Sequence, residues 1–353
     1  MKVIVPCGGR SSRFPNMPPK WMLPDHDGIP MVVRAVEGLK FDPDDLIVTL
    51  LAEHEQRFNA TEGLSRAFGR KVRTVILEEQ TRSQSETVVE TLRRTGIDEP
   101  FLVKDSDNYF VLDPVEAAYN YVSVASLNDF DQINPRNKSY AQVDQEDVIT
   151  NFREKKVISD LFSVGGYYFT DPKAFLAAYD ELMASPTAEA SELYISEIIA
   201  YLALNGAVFK ARRVKGYQDW GTIHEWRLKL EGRKLFLVSL DGFLFERGSA
   251  YFGPSFDKTA ANPAAVEAVR GLGKEGHTVI YLSVRPQEFE AATREALSSL
   301  ELPEGHIVMG CGVAQWNLVT SPDATLPFTT SRAIEVSPDD PNLSEKLDGL
   351  GRP

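Results

Sequence analysis

Near the amino terminus, Val3-Ile4-Val5-Pro6-Cys7 runs into Gly8-Gly9-Arg10-Ser11-Ser12-Arg13-Phe14, and Pro19-Lys20-Trp21-Met22 follows shortly after. Gly8 and Gly9 carry no Cβ, so the chain can turn sharply there and lie against a base or a phosphate. Backbone N–H groups in such a loop form a concave anion site, to which Arg13 and Lys20 add full positive charge. That chemistry suits a nucleoside triphosphate. The ordinary alternative is a strand-to-turn junction of the kind common in α/β proteins. Two known phosphate loops do not fit the spacing. The dinucleotide fingerprint needs a third glycine opening a helix, which Pro15, Pro18 and Pro19 prevent. The P-loop sets Gly-Lys-Ser/Thr directly before its helix, whereas Lys20 lies beyond a proline-rich stretch.

A second group of residues could hold a cation. Phe101-Leu102-Val103-Lys104 leads into Asp105-Ser106-Asp107-Asn108, an acidic pair at the carboxyl end of an apolar strand. In open α/β sheets that end is where ligands bind. Carboxylates there suit Mg²⁺, a hard cation that takes a few carboxylates together with phosphate oxygens and water. A strand-end turn or helix cap would use the same residue types. Far downstream, Tyr217-Gln218-Asp219-Trp220-Gly221-Thr222 offers another acid, which alone reads as a loop aspartate.

In order along residues 1 to about 230, these segments resemble the nucleotidyltransferases that activate sugar 1-phosphates or phosphocholine-type substrates. That family pattern is a glycine-rich loop, Ser/Thr-Arg-Phe/Leu, a spacer and Pro-Lys, then an Asp-Asn and a late Asp before Gly-Thr. The resemblance implies that Gly8, Gly9, Arg10 and Ser12 bind the nucleotide. It implies that Arg13 holds the leaving phosphates, that Lys20 acts at the α-phosphorus, and that Asp107 and Asp219 carry Mg²⁺, with Asp105 a close candidate. Gln84-Ser85-Glu86-Thr87 resembles the element that reads the base in cytidylyltransferase-like members, so Gln84 and Glu86 favour CTP; the stretch also reads as a helix start with Ser85 as N-cap. Glu154-Lys155 looks like the pair that contacts a phosphorylated small-molecule acceptor, while Lys156 reads as an exposed charged end. Gly166, Glu192 and Tyr194 resemble the acceptor wall.

The elements that must position these groups follow from apolar patterning. Strands are expected at Lys2–Pro6, Leu46–Leu51, Val72–Leu77, Phe101–Lys104 and Tyr121–Ala125, and helices at Met31–Gly38, Ser85–Thr95, Pro172–Met183, Ser191–Leu204 and Thr222 to about Glu231. Asn137–Glu154 reads as a hairpin turning at Asp144–Asp147. The fold class is α/β: a nucleotide-diphospho-sugar transferase-like (GT-A/Rossmann-like) domain with a mixed, mostly parallel sheet over residues 1–231, then a smaller unit over residues 232–353.

In that second unit the expected strands are Lys234–Leu240, His277–Ser283, Ile307–Met309 and Gln315–Val319, with helices Pro263–Lys274 and Pro286–Ser299. Leu235 to Leu244 resembles the first motif of haloacid-dehalogenase-type phosphatases, a Rossmannoid fold. Ser239 stands where that family has its nucleophilic aspartate, leaving only Asp241 of the pair. Ser283 keeps the phosphate-binding hydroxyl, but no lysine lies between Arg285 and Met309, and Asp323 follows too late for the last acidic motif. A serine without an adjacent base is a poor nucleophile, so this domain is expected to be catalytically inactive.

The 353 residues allow two domains with cores of their own. A net charge of -13 argues against a nucleic-acid partner. Two cysteines, Cys7 and Cys311, suit a reducing cytoplasm, and the short apolar start suits neither a signal peptide nor a membrane partner. The expected function is Mg²⁺-dependent transfer of a nucleoside monophosphate from an NTP to a phosphorylated acceptor, with pyrophosphate released. By resemblance it belongs to capsule or surface-polysaccharide synthesis, in a chain that could form a homo-oligomer. The competing readings are a bifunctional nucleotidyltransferase/phosphatase and a non-catalytic nucleotide-binding scaffold.

Overall fold

A computed structural model of the chain describes every residue except 10, 12, 131–133, 185–191, 321–330, 338–339, 341 and 350–353. It divides into two compact units, Met1–Trp226 and Arg227–Pro353. The division falls within the helix that ends at Glu231, the residue expected to close the first domain.

The first unit is built on β1 (Lys2–Pro6), α1 (Met31–Glu37), β2 (Leu46–Leu51), α2 (Ala52–Phe58), α3 (Ala60–Ala67), β3 (Arg73–Leu77), α4 (Gln84–Thr95), β4 (Phe101–Lys104), β5 (Asn108–Val111), β6 (Asn120–Ser126), β7 (Ser139–Val143), β8 (Ile149–Glu154), β9 (Leu161–Phe169), α5 (Pro172–Met183), α6 (Ile195–Leu204), β10 (Phe209–Arg213), β11 (Lys215–Asp219) and α7 (Ile223–Glu231). The main sheet has the order β10-β6-β9-β4-β1-β2-β3, with β7 pairing both β8 and β9. Strand β1 is parallel to β2 and β4, while β9 runs antiparallel between β4 and β6. The sheet is therefore mixed.

Its central strands are continuous apolar runs because helices cover both faces. Side chains alternate across the sheet: Val3 and Val5 pack with Val32 and Val36 of α1, whereas Ile4 packs with Val88, Val89 and Leu92 of α4. Full burial of each such side chain contributes about 2 kcal/mol. Helix α4 begins one residue earlier than expected. Its N-cap is Ser83, whose hydroxyl accepts from the Glu86 N–H at 3.2 Å, and not Ser85. Ser85 is fully buried and donates to the Leu193 carbonyl, so it serves packing between elements. Gly96 ends the helix in the left-handed region, at φ 64°.

Four strands of the first unit, β5, β9, β10 and β11, were not expected from apolar patterning. Leu161–Phe169 is buried along its whole length and shows no alternation. Strands β5 and β11 form a separate antiparallel pair with a register shift between Lys215 and Gln218, too short and irregular to stand out.

The second unit comprises β12 (Leu235–Ser239), α8 (Pro263–Lys274), β13 (Thr278–Leu282), α9 (Glu290–Ser299), β14 (Gly305–Val308) and α10 (Leu343–Gly349). The strands form a parallel sheet in the order β12-β13-β14, over a core that includes Val238, Leu240, Val269, Val279 and Tyr281. Gln315–Val319 is not a strand. It pairs with no described strand, and Val319 is 91 % exposed, so its apolar residues gain nothing from extended pairing. Helix α9 starts at Glu290 and not at Pro286, because Gln287–Phe289 forms a short 3₁₀ turn first. No described helix is long and apolar enough to cross a membrane.

Candidate functional site

The glycine loop leaves β1 at the carboxyl edge of the sheet and folds back on itself. The Ser11 hydroxyl accepts from the Lys20 backbone N–H at 2.9 Å, with Ser11 at φ 50°. This closes the loop and turns Lys20 inward, where its ammonium pairs with Asp107. Gly8 lies against α4: a Cβ there would stand 3.4 Å from the Thr87 side chain. Arg10 and Ser12 lie outside the described residues.

Asp107 follows β4, and Asp219 ends β11. The β5–β11 ladder sets Asp219 opposite Asn108, and the Trp220 N–H donates to the Asp107 carbonyl at 2.8 Å. Gly221 marks where the two acids converge. A Cβ built there would lie 3.2 Å from a carboxylate oxygen of Asp107, 3.2 Å from one of Asp219, and 3.7 Å from a guanidinium nitrogen of Arg13. Arg13, Lys20, Asp107 and Asp219, drawn from distant parts of the chain, thus meet at one place.

Electrostatics separate the two neighbouring acids. Burial alone would raise the Asp107 carboxyl, but Lys20, with Lys104 and Lys138, outweighs it and holds the group below the ordinary value. Asp105 goes the other way: burial, and then the charge of Asp107, push it up to about 6, against a hydrogen bond from Gln84. That bond, from Gln84 Nε2 to Asp105 Oδ1 at 2.5 Å, directs Asp105 toward α4. The Gly221 point is lined by Asp107 and Asp219.

Three residues of the site were not singled out from sequence. Lys104 is fully buried, and its ammonium donates to the Asp105 carbonyl at 2.8 Å, the Asn108 carbonyl at 2.9 Å and Asn108 Oδ1 at 2.5 Å. Burial pushes this amine down to about 7, opposed by Asp105 and Asp107; three acceptors for three N–H groups favour the charged form. A lysine ending an otherwise apolar strand is the signal that could have marked it, since a buried charge requires partners. Lys138, just before β7, pairs with Asp219, and nothing in its spacing announces it. Tyr217 is the third: its hydroxyl accepts from Lys138 at 2.9 Å.

The expected acceptor residues form a second cluster. Lys155, at φ 52°, donates to the Tyr194 hydroxyl at 2.8 Å, and that hydroxyl donates to Glu192 at 3.0 Å. The Tyr194 bond raises the Lys155 amine above its ordinary value. Glu154 accepts from Ser139 and Ser196, so it braces β7 and α6. Glu86 accepts from the Arg82 N–H and closes the turn before α4. Gly166 has a packing constraint of its own. A Cβ there would strike Ser123 Oγ at 2.6 Å and Phe110 at 2.7 Å, so a close approach inside the sheet explains this glycine. His54 packs against Trp21 with ring centroids 5.8 Å apart.

The donor set fits a hard divalent cation in part. Among the described residues no group of three or more His, Cys, Asp or Glu side chains gathers. Two carboxylates facing one point still match Mg²⁺, which takes one or two carboxylates and completes its shell with phosphate oxygens and water.

No protein-family model and no curated protein matches the sequence. Solved structures do match the fold. A nucleoside-diphosphate-sugar pyrophosphorylase from Vibrio cholerae is 24 % identical with a TM-score of 0.55, covering 65 % of this chain and 99 % of its own. A CTP:phosphocholine cytidylyltransferase from Streptococcus pneumoniae is 15 % identical with a TM-score of 0.51, covering 65 % and 97 %. An inositol-1-phosphate CTP transferase from T. maritima is 14 % identical with a TM-score of 0.50, covering 64 % and 90 %. The chain has the mixed α/β fold of these nucleotidyltransferases over about the share that its first unit makes up.

Proposed function

We propose that the first unit transfers a nucleoside monophosphate from an NTP to the phosphate of a small acceptor, releasing pyrophosphate. The observation that carries this reading is the convergence of Asp107, Asp219 and Arg13 on the Gly221 point, with Lys20 paired to Asp107. An acceptor phosphate oxygen attacks the α-phosphorus; the bond from that phosphorus to the bridging oxygen breaks, and pyrophosphate leaves with the electron pair. An ionised phosphate needs no general base, so the protein's work is positioning and neutralisation of charge. Arg13 holds the departing phosphates and Lys20 neutralises charge at the α-phosphorus. Asp107 and Asp219 would hold Mg²⁺, which supplies Lewis-acid polarisation of the phosphate.

Gln84, fixed by Asp105 beside the loop, supports base reading by the start of α4, and we favour CTP. Lys155 and Tyr194 are the proposed acceptor contacts, for a sugar phosphate or a phosphocholine-like molecule, in surface-polysaccharide synthesis. The test is pyrophosphate release with each nucleotide, Mg²⁺ and a panel of phosphorylated acceptors. No release with any combination overturns the reading, and nucleotide binding by calorimetry without turnover would favour a scaffold.

For the second unit we propose a structural role without phosphatase activity. Asp241 accepts from Arg285 Nε at 2.7 Å, the Ser283 hydroxyl at 2.7 Å and the Val284 N–H at 3.1 Å. Arg285, 2 % exposed, also donates to Thr259 and Thr293. Both oxygens of the carboxylate are thus engaged by the protein itself, which supports the inactive reading. Phosphatase turnover that Asp241→Asn abolishes and Asp107→Ala spares would overturn it.

A further inference from the structure

Each carboxylate at the Gly221 point already has an ammonium counter-charge: Lys20 for Asp107 and Lys138 for Asp219. The two pairings differ in what surrounds the lysine. Lys138, with 11 % of its side chain exposed, also donates to the Tyr217 hydroxyl at 2.9 Å. Its ammonium lies 5.4 Å from the Tyr217 ring centroid and 5.9 Å from that of Phe162. Aromatic faces attract a cation. The Tyr217 hydroxyl and the two rings reduce the cost of parting Lys138 from Asp219, which for a buried charge with no such contacts would be large.

Asp219 Oδ1, the oxygen toward Gly221, accepts the Gly221 N–H at 3.0 Å, while Oδ2 holds Lys138. A divalent cation would thus compete with Lys138 for Oδ2, and the doubly charged ion has the stronger Coulomb attraction at equal distance. We propose that Lys138 is the resting counter-ion of Asp219: a divalent cation taking that carboxylate releases it, and the freed ammonium then contacts phosphate oxygens over the site. This rests on the reading of Asp107 and Asp219 as metal ligands. It gives Lys138 two opposite effects, against the cation when phosphate is absent and for the phosphate when the cation is present. A purely structural lysine would produce neither sign pattern.

The test uses the full chain and two probes. Free Mn²⁺ is measured by electron paramagnetic resonance during titration without nucleotide, and inorganic pyrophosphate binding is measured by calorimetry at saturating Mn²⁺. In Lys138→Met, Mn²⁺ should bind on the order of tenfold tighter, and pyrophosphate on the order of tenfold weaker. Lys138→Gln should move both in the same directions, while Lys215→Met, an exposed lysine on the same strand as Asp219, should match wild type in both. Folding of each variant is checked by circular dichroism and melting temperature. Unchanged or weaker Mn²⁺ binding in both folded Lys138 variants overturns the proposal, as does equal tightening in Lys215→Met or unchanged pyrophosphate affinity. Mn²⁺ binding to wild type that Asp219→Asn leaves intact would instead overturn the metal reading, and this proposal with it.

Discussion

Asp107 and Asp219 face a common point 3.2 Å from an oxygen of each, although one follows the fourth strand of the main sheet and the other ends a strand outside it. The link is the β5–β11 ladder, which pairs Asn108 with Asp219 and lets the Trp220 N–H donate to the Asp107 carbonyl. Two acids held this close would repel each other. Lys20 and Lys138 offset that repulsion.

Asp107→Asn and Asp219→Asn keep side-chain shape and remove the charge. Each should lower pyrophosphate-releasing turnover by at least about 100-fold with the fold retained. Steady-state kinetics beside far-ultraviolet circular dichroism checks this, and turnover within a factor of about three of wild type would remove the residue from the mechanism.

Gly221→Ala adds one methyl at the point the two acids share, in tight contact with both. Turnover should fall between about 10-fold and 100-fold, because small displacements of reacting groups are costly. The melting temperature should change little, and a large drop in it would assign Gly221 to folding instead.

Lys104→Met removes a buried ammonium from three oxygen acceptors. Loss of this charged partner should destabilise the first unit by about 3 kcal/mol. Urea unfolding measures it, and a change under about 1 kcal/mol would show that the oxygens find other donors.

His54 supplies a pH dependence. Burial holds its imidazole below the ordinary 6.5, against a smaller upward pull from Glu53. The folded state therefore binds the proton less tightly than the unfolded chain. The stability contribution is complete above pH 6.5 and is lost as pH falls through the lower, folded value. Urea midpoints should decline from about pH 7 to about pH 5, with a shallower slope in His54→Gln. Equal slopes in the two proteins would assign the dependence to other groups.

Arg285→Met breaks the buried pair with Asp241 in the second unit. Unfolding of that unit should become easier by about 3 to 5 kcal/mol. Limited proteolysis checks this, since cleavage within residues 232–320 should precede cleavage of the first unit.

Local chemistry made much of this legible in the chain alone. The apolar run before Gly8-Gly9 reads as a strand because only a strand covered on both faces needs so few polar residues, and Val3, Ile4 and Val5 are fully buried. The loop and the acidic pair were marked by residue type and spacing, and the late Asp219 only by the family resemblance. What the chain alone did not reveal depends on contacts between distant segments. The β5–β11 ladder is too short and irregular to show a period, so the convergence on Gly221 had no local trace. Ser83 and Ser85 are equally plausible caps by type; burial against Leu193 decided between them. Gly166 was marked by resemblance alone, and only the packing of Ser123 and Phe110 beside it shows that a side chain has no room there. Lys138 has no motif around it, and its pairing with Asp219 follows from where β7 begins relative to β11. The residue types that can hold a phosphate or a cation are written in the sequence; which of them share one point, and which lysine faces which acid, is decided by tertiary packing because charge acts across space and not along the chain.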